Sequence, residues 1–120
     1  MPDLTRKEVI LILATTQAAR LAGVDMSGLD LRGLNFAGAD LIRANLSGAD
    51  LTNAYMRRAE LEDANLEGTI LVNANLKEAN LKGCKIAGAN LTGTNLTDAN
   101  LFGLELSAVQ KGQARGLTSS

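Results

Sequence analysis

Seventeen apolar residues fall at intervals of five without a gap, from Met26 to Leu106, and thirteen of them are leucine. The exceptions are Met26, Phe36, Met56 and Ile86. Two residues before each lies a second set, alanine in ten of the seventeen units, with Val24, Leu29, Leu34, Thr69, Cys84, Thr94 and Leu104 in the others. The residue between the two is Asp or Asn in twelve units, and glycine stands two after the apolar residue in nine. Neither regular element can bury such a series on one side. Five residues of α-helix advance about 140° net, which scatters successive leucines around the cylinder. On a strand, side chains alternate, so a step of five sends successive leucines to opposite faces. Glycine and Asp or Asn in every unit oppose both elements further.

A chain that bends in the same sense every five residues meets the pattern. Each short extended side points its leucine inward, and the bends use the turn chemistry of Gly, Asn and Asp. Stacked coils then pair backbone groups with their neighbours at about 4.8 Å, which satisfies a backbone that is otherwise all turns. Segments such as Ala44-Asn45-Leu46-Ser47-Gly48 and Ala89-Asn90-Leu91-Thr92-Gly93 resemble the pentapeptide-repeat proteins. The resemblance covers residues 24–108 and implies an all-β solenoid, a right-handed quadrilateral β-helix with four pentapeptides per coil. It implies slightly more than four coils, a rod of roughly 20 Å, and inward-facing leucine and alanine positions. Residues i and i+20 are then neighbours on one face. Cys84, at an alanine position, reads as a small buried thiol.

Composition narrows the function. The chain has 120 residues, net charge −1, no histidine and one cysteine. These exclude an internal disulfide and any Cys/His metal cluster. Phe36, Tyr55 and Phe102 are the only aromatics, too few for a base-stacking platform. The enzyme reading finds no nucleophile–base pair, since Glu60, Glu62 and Asp63 lie on a convex side; catalytic, metal and cofactor-binding residues are all read as none. No stretch approaches a membrane span. The run from Val9 to Ala14 is too short for a signal-peptide core and abuts Glu8, so the expected compartment is cytoplasmic.

Both ends need covering, because a solenoid otherwise exposes its core. Residues 1–23 read as an N-terminal cap: Thr5-x-x-Glu8 is a capping box, and the spacing of Ile10, Leu13, Ala14, Gln17 and Leu21 predicts a helix over 5–22 ending at Gly23. The β-branched run 9–13 also suits a strand. After Leu106 the period fails, and 109–120 read as a polar tail with no evident helix. Leu101, Phe102, Leu104, Leu106 and Val109 gather near this end. Two outcomes stay open there, a homodimer through the C-terminal end and a tail folded back over it.

Few outward residues break the pattern. Ile70 and Val72 make an apolar spot, and Tyr55, Arg57 and Arg58 cluster on the neighbouring face; these five are the candidate partner contacts. The i, i+20 rule pairs Arg43 with Asp63, Glu62 with Lys82 and Arg58 with Glu78. The expected function is a non-enzymatic interaction scaffold for an unknown protein partner. The alternative comes from the resemblance, whose family includes DNA mimics that bind DNA gyrase. Residues 24–108 carry eleven acidic and seven basic side chains, net −4, against roughly a dozen phosphate charges on a similar length of DNA. No insertion interrupts the repeat. The interleaving of Arg57, Arg58, Lys77, Lys82 and Lys85 with acids argues against nucleic acid as a direct partner.

Overall fold

A computed structural model describes residues 2–15 and 18–117. The chain winds through parallel single-residue bridges that join i to i+20, from Arg20↔Asp40 through Asn80↔Asn100 to Asn95↔Arg115. Four sides follow from this register. The inward columns are Leu21, Leu41, Leu61, Leu81 and Leu101; Met26, Leu46, Leu66 and Ile86; Leu31, Leu51, Leu71 and Leu91; and Phe36, Met56, Leu76 and Leu96. All but Leu101 are buried. The whole chain measures 40 × 26 × 22 Å.

The repeats in the middle of the rod share one set of bonds. Leu61 N–H donates to Asn80 O (2.8 Å) and Asn80 N–H to Ala59 O (2.9 Å), while Ala64 N–H closes the corner on Leu61 O (2.9 Å). The Asp and Asn side chains belong to the turns: Asn65 Oδ1 accepts from Glu67 N–H and Asn75 Oδ1 from Lys77 N–H, both at 3.0 Å. This is the Asx-turn, and it explains why the position is Asp or Asn so often. Where a polar residue replaces the inward alanine, its side chain bonds a carbonyl twenty-three residues back. Thr69 Oγ1 donates to Leu46 O (2.9 Å) and Thr94 Oγ1 to Leu71 O (2.7 Å).

The corner two residues after each leucine is left-handed whether or not glycine occupies it. Arg43, Asn53, Arg58, Asp63, Asn73, Glu78 and Asp98 all have φ between 58° and 62°. Arg43→Gly relieves that strain at a corner with no ion pair among the described residues, and is expected to stabilise the fold by ~0.5 kcal/mol. Gly48 has φ +67° with nothing within 4 Å of an added Cβ. Gly48→Val therefore costs conformation alone, about 1–2 kcal/mol. Urea midpoints of the two variants, moving in opposite directions, check both.

The N-terminal helix α1 is Arg6–Thr15, shorter than the expected 5–22. Its capping box is present: Thr5 N–H donates to Glu8 Oε1 (2.9 Å) and Glu8 N–H to Thr5 Oγ1 (3.3 Å). Gln17 lies outside the described residues. Residues 19–23 already form a repeat: Ala19 and Leu21 are buried, Arg20 bridges Asp40, and Gly23 is a left-handed corner (φ +70°) instead of a helix terminus. The end of the tail also differs. A second helix, α2, spans Ala108–Gln113, and Arg115 then rejoins the coil at the i+20 register. The expected Arg43–Asp63 pair does not form among the described residues. The other two do, at 3.6 Å for Lys82–Glu62 and 3.5 Å for Arg58–Glu78.

Candidate functional site

The outward side chains fall into one lateral patch and two ends. In the patch, Tyr55 bridges Asn35 and Asn75, and Ile70 bridges Asp50 and Asn90. They occupy adjacent faces in successive coils. Val72 O accepts from Asn53 N–H (2.9 Å), which sets half-buried Val72 at the corner between those faces. Tyr55 is 59% exposed and Ile70 37%. The two arginines are not free cations. Arg57 and Arg58 grip Glu78 from one coil away, at 2.9 and 3.5 Å. The Arg57 hydrogen bond holds the Glu78 carboxyl below its ordinary range. The patch thus sets an aromatic and an aliphatic side chain beside two arginines that share one carboxylate.

The ends share a device that sequence reasoning did not find: side chains stand in for the missing coil. At the N-terminus, Asp25 N–H donates to Asp3 Oδ2 (2.8 Å), and Arg6 Nη1 donates to Asp30 O (2.6 Å). At the C-terminus, Gln110 is 5% exposed, and its Nε2 donates to Ile86 O (2.8 Å) and Ala89 O (3.1 Å). In a regular coil a backbone N–H would reach Ala89 O. Leu91 N–H, in turn, donates to Gln113 Oε1 (3.0 Å). Of the residues expected at this end, Leu101, Leu104 and Leu106 are half-buried against the core. Phe102 and Val109 are 73% and 69% exposed, and Lys82 Nζ sits 5.9 Å from the Phe102 ring centroid.

Cys84 donates through Sγ to Leu61 O (2.9 Å), and burial pushes its thiol up to about 12. The protonated form is the stabilised one, so its contribution holds below the thiol's ordinary range and is lost as pH rises towards 12. Iodoacetamide at pH 8 is expected to leave Cys84 unmodified in the native protein and to alkylate it within minutes in 6 M urea, read by mass spectrometry. Among the described residues no group of three or more potential metal ligands occurs, and no helix is long and apolar enough to cross a membrane.

A coil of four five-residue sides, stacked at i, i+20 with leucine and alanine columns facing inward, is that of the right-handed quadrilateral β-helix. The family model for pentapeptide repeats matches residues 19–58 and 59–98, in eight copies. The chain belongs to the pentapeptide-repeat family. Among solved structures it is similar to Rfr23, a pentapeptide-repeat protein of the cyanobacterium Cyanothece 51142. The identity is 39% and the TM-score 0.53, over 75% of this chain and 58% of that one. A trypsin-treated form of QnrB1, a plasmid-mediated fluoroquinolone resistance protein, matches at 22% identity and TM-score 0.67, over 70% and 46% of the two chains. That match bears on the fold. The chain thus spans about half the length of these solved relatives. Among curated proteins none matches.

Proposed function

We propose that this chain is a non-enzymatic scaffold that presents its lateral faces to a protein partner. The observation that carries the reading is the exposure of Tyr55 and Ile70 on adjacent faces of a rod whose leucine, alanine and Asp/Asn positions are otherwise committed to the stack. Affinity capture from the native host with wild type and with the double variant Tyr55→Ser/Ile70→Ser tests it. A partner held by wild type and lost from the variant is expected; equal retention overturns the patch.

The gyrase-binding alternative needs a DNA-like field. Residues 24–108 carry net −4, and four of the rod's acids, Asp30, Asp50, Glu62 and Glu78, are paired with cations. A gyrase supercoiling assay is therefore expected to show neither inhibition nor drug protection; either effect would favour the mimic. At the C-terminal end, Phe102 and Val109 are the only large apolar side chains left largely open among the described residues, little beside the ~800 Å² per partner of a stable interface. A monomer in sedimentation is expected, and a dimer would return the end to the second-copy reading.

A further inference from the structure

Between Gly103 and Ser107 the chain leaves the rod, and the ladder beneath it is left open. The preceding coil shows what is missing. Lys85 N–H donates to Ala64 O (3.1 Å), Leu66 N–H to Lys85 O (2.8 Å) and Gly68 N–H to Ala87 O (2.9 Å). One coil later the corresponding groups are Cys84 O, Ile86 N–H and Gly88 N–H. Among the described residues the two N–H groups donate to nothing, and no backbone N–H reaches Cys84 O. No bridge joins Lys85 to Glu105. The gap is a wedge of two adjoining grooves, about 320 Å³ and about 690 Å³, both bounded by Ala87 and Glu105. Ile86 forms part of one wall and Leu106 part of the other.

We infer that this wedge binds an extended segment of a partner polypeptide, added in parallel as the missing strand of the fifth coil, with an apolar residue followed by a basic one. The inference rests on the scaffold reading and names a second contact for it. The backbone chemistry is set by the three open groups. A guest residue over Lys85 supplies one N–H to Cys84 O and one C=O to Ile86 N–H, and the residue two further on supplies a C=O to Gly88 N–H. The residue between them points inward over Ile86, which is 6% exposed, so its apolar seat opens as half-buried Leu106 shifts aside. The next stands over Ala87, whose methyl leaves the column open down to Glu67, with Glu105 beside it. Lys85 lines the same groove, yet neither carboxylate has a cation within 4 Å among the described residues, and the two acids outnumber it, so the mouth complements a basic side chain.

The chain's own repeat supplies a probe. Residues 74–83 read Ala-Asn-Leu-Lys-Glu-Ala-Asn-Leu-Lys-Gly, with leucine and lysine in the required order. This decapeptide, acetylated and amidated, is titrated to millimolar concentration into ¹⁵N-labelled protein while amide exchange is followed. In the free protein the Ile86 and Gly88 amides are expected to exchange fast, unlike their counterparts Leu66 and Gly68. With peptide bound they slow at least about tenfold. Methylating the peptide's asparagine nitrogens should abolish the effect. The double variant Glu67→Lys/Glu105→Lys should weaken binding about tenfold, and a peptide with glutamate for both lysines should recover it.

Slow exchange of Ile86 and Gly88 without peptide would overturn the inference, as would no response at millimolar peptide or shifts confined to other faces. Protection that rises with protein concentration alone would assign the wedge to a second copy. A partner still lost from Tyr55→Ser/Ile70→Ser after such a result would leave the scaffold reading standing.

Discussion

Leu66→Asp is expected to abolish cooperative folding. Leu66 is fully buried at mid-length of its column, between Leu46 and Ile86. Replacing it removes an apolar side chain whose burial is worth ~1.5–3 kcal/mol and places a carboxylate where no cation can reach. An unpaired buried charge adds several kcal/mol more, or forces the group to stay protonated. Against a total stability of ~5–15 kcal/mol, the sum consumes most of what the fold has. Because each coil rests on its neighbours, damage at mid-rod also deprives both halves of a template. The measurement is urea unfolding followed by far-UV circular dichroism: wild type shows one transition and the variant none. Lys77→Asp, on an outer corner one coil from Arg57, is the control and should stay within about 0.5 kcal/mol of wild type. A folded Leu66→Asp protein would mean that the column tolerates solvent and that the lateral hydrogen bonds alone hold the coils.

How much of this was legible in the residues differs between the middle and the ends. The period of five excluded helix and sheet, and with the family resemblance it led to the neighbour rule that the bridges from Arg20↔Asp40 to Asn95↔Arg115 obey. The middle was readable because every unit solves the same problem in the same way. The ends solve a different one, with side chains instead of period. Residues 19–23 were absorbed into the expected helix because Leu21 fits a helical spacing as well as the five-residue one. Helix α2 was hidden for a related reason: Lys111 and Gly116 break the leucine series, which reads as the end of structure. Yet Ser107-x-x-Gln110 is a capping box, and both of its bonds form. The pairing of charges was legible only in part. Arg58 and Lys82 meet their predicted partners, whereas Arg57, set over Lys77 by the register, turns to Glu78. A flexible arginine on a surface chooses among nearby acids at little energetic difference.

Gln110→Glu is expected to unseat the C-terminal cap in a pH-dependent way. Gln110 Oε1 accepts from Ser107 N–H (3.0 Å) and Nε2 donates to Ile86 O and Ala89 O. Glutamate keeps the shape and the acceptor, but an ionised carboxylate turns lone pairs instead of donors toward two carbonyl oxygens in a buried site. Two lost charge-free bonds and a desolvated anion together cost about 3 kcal/mol above pH 6. The sign follows from the protonated form, which still donates one bond. Burial and the two carbonyls raise the folded pKa of the introduced carboxyl above the ~4.3 of an unfolded glutamate. Stability is then closest to wild type below that value and falls as pH rises through the folded pKa. The loss is expected to be local first. The amides of Leu91 and Gly93, which donate to the Gln113 side chain and backbone at 3.0 Å, should exchange faster at pH 7 while those of Leu61 and Leu66 stay protected. Equal exchange in variant and wild type at pH 7 would show that α2 is held by its own capping box and not by the amide's reach into the coil.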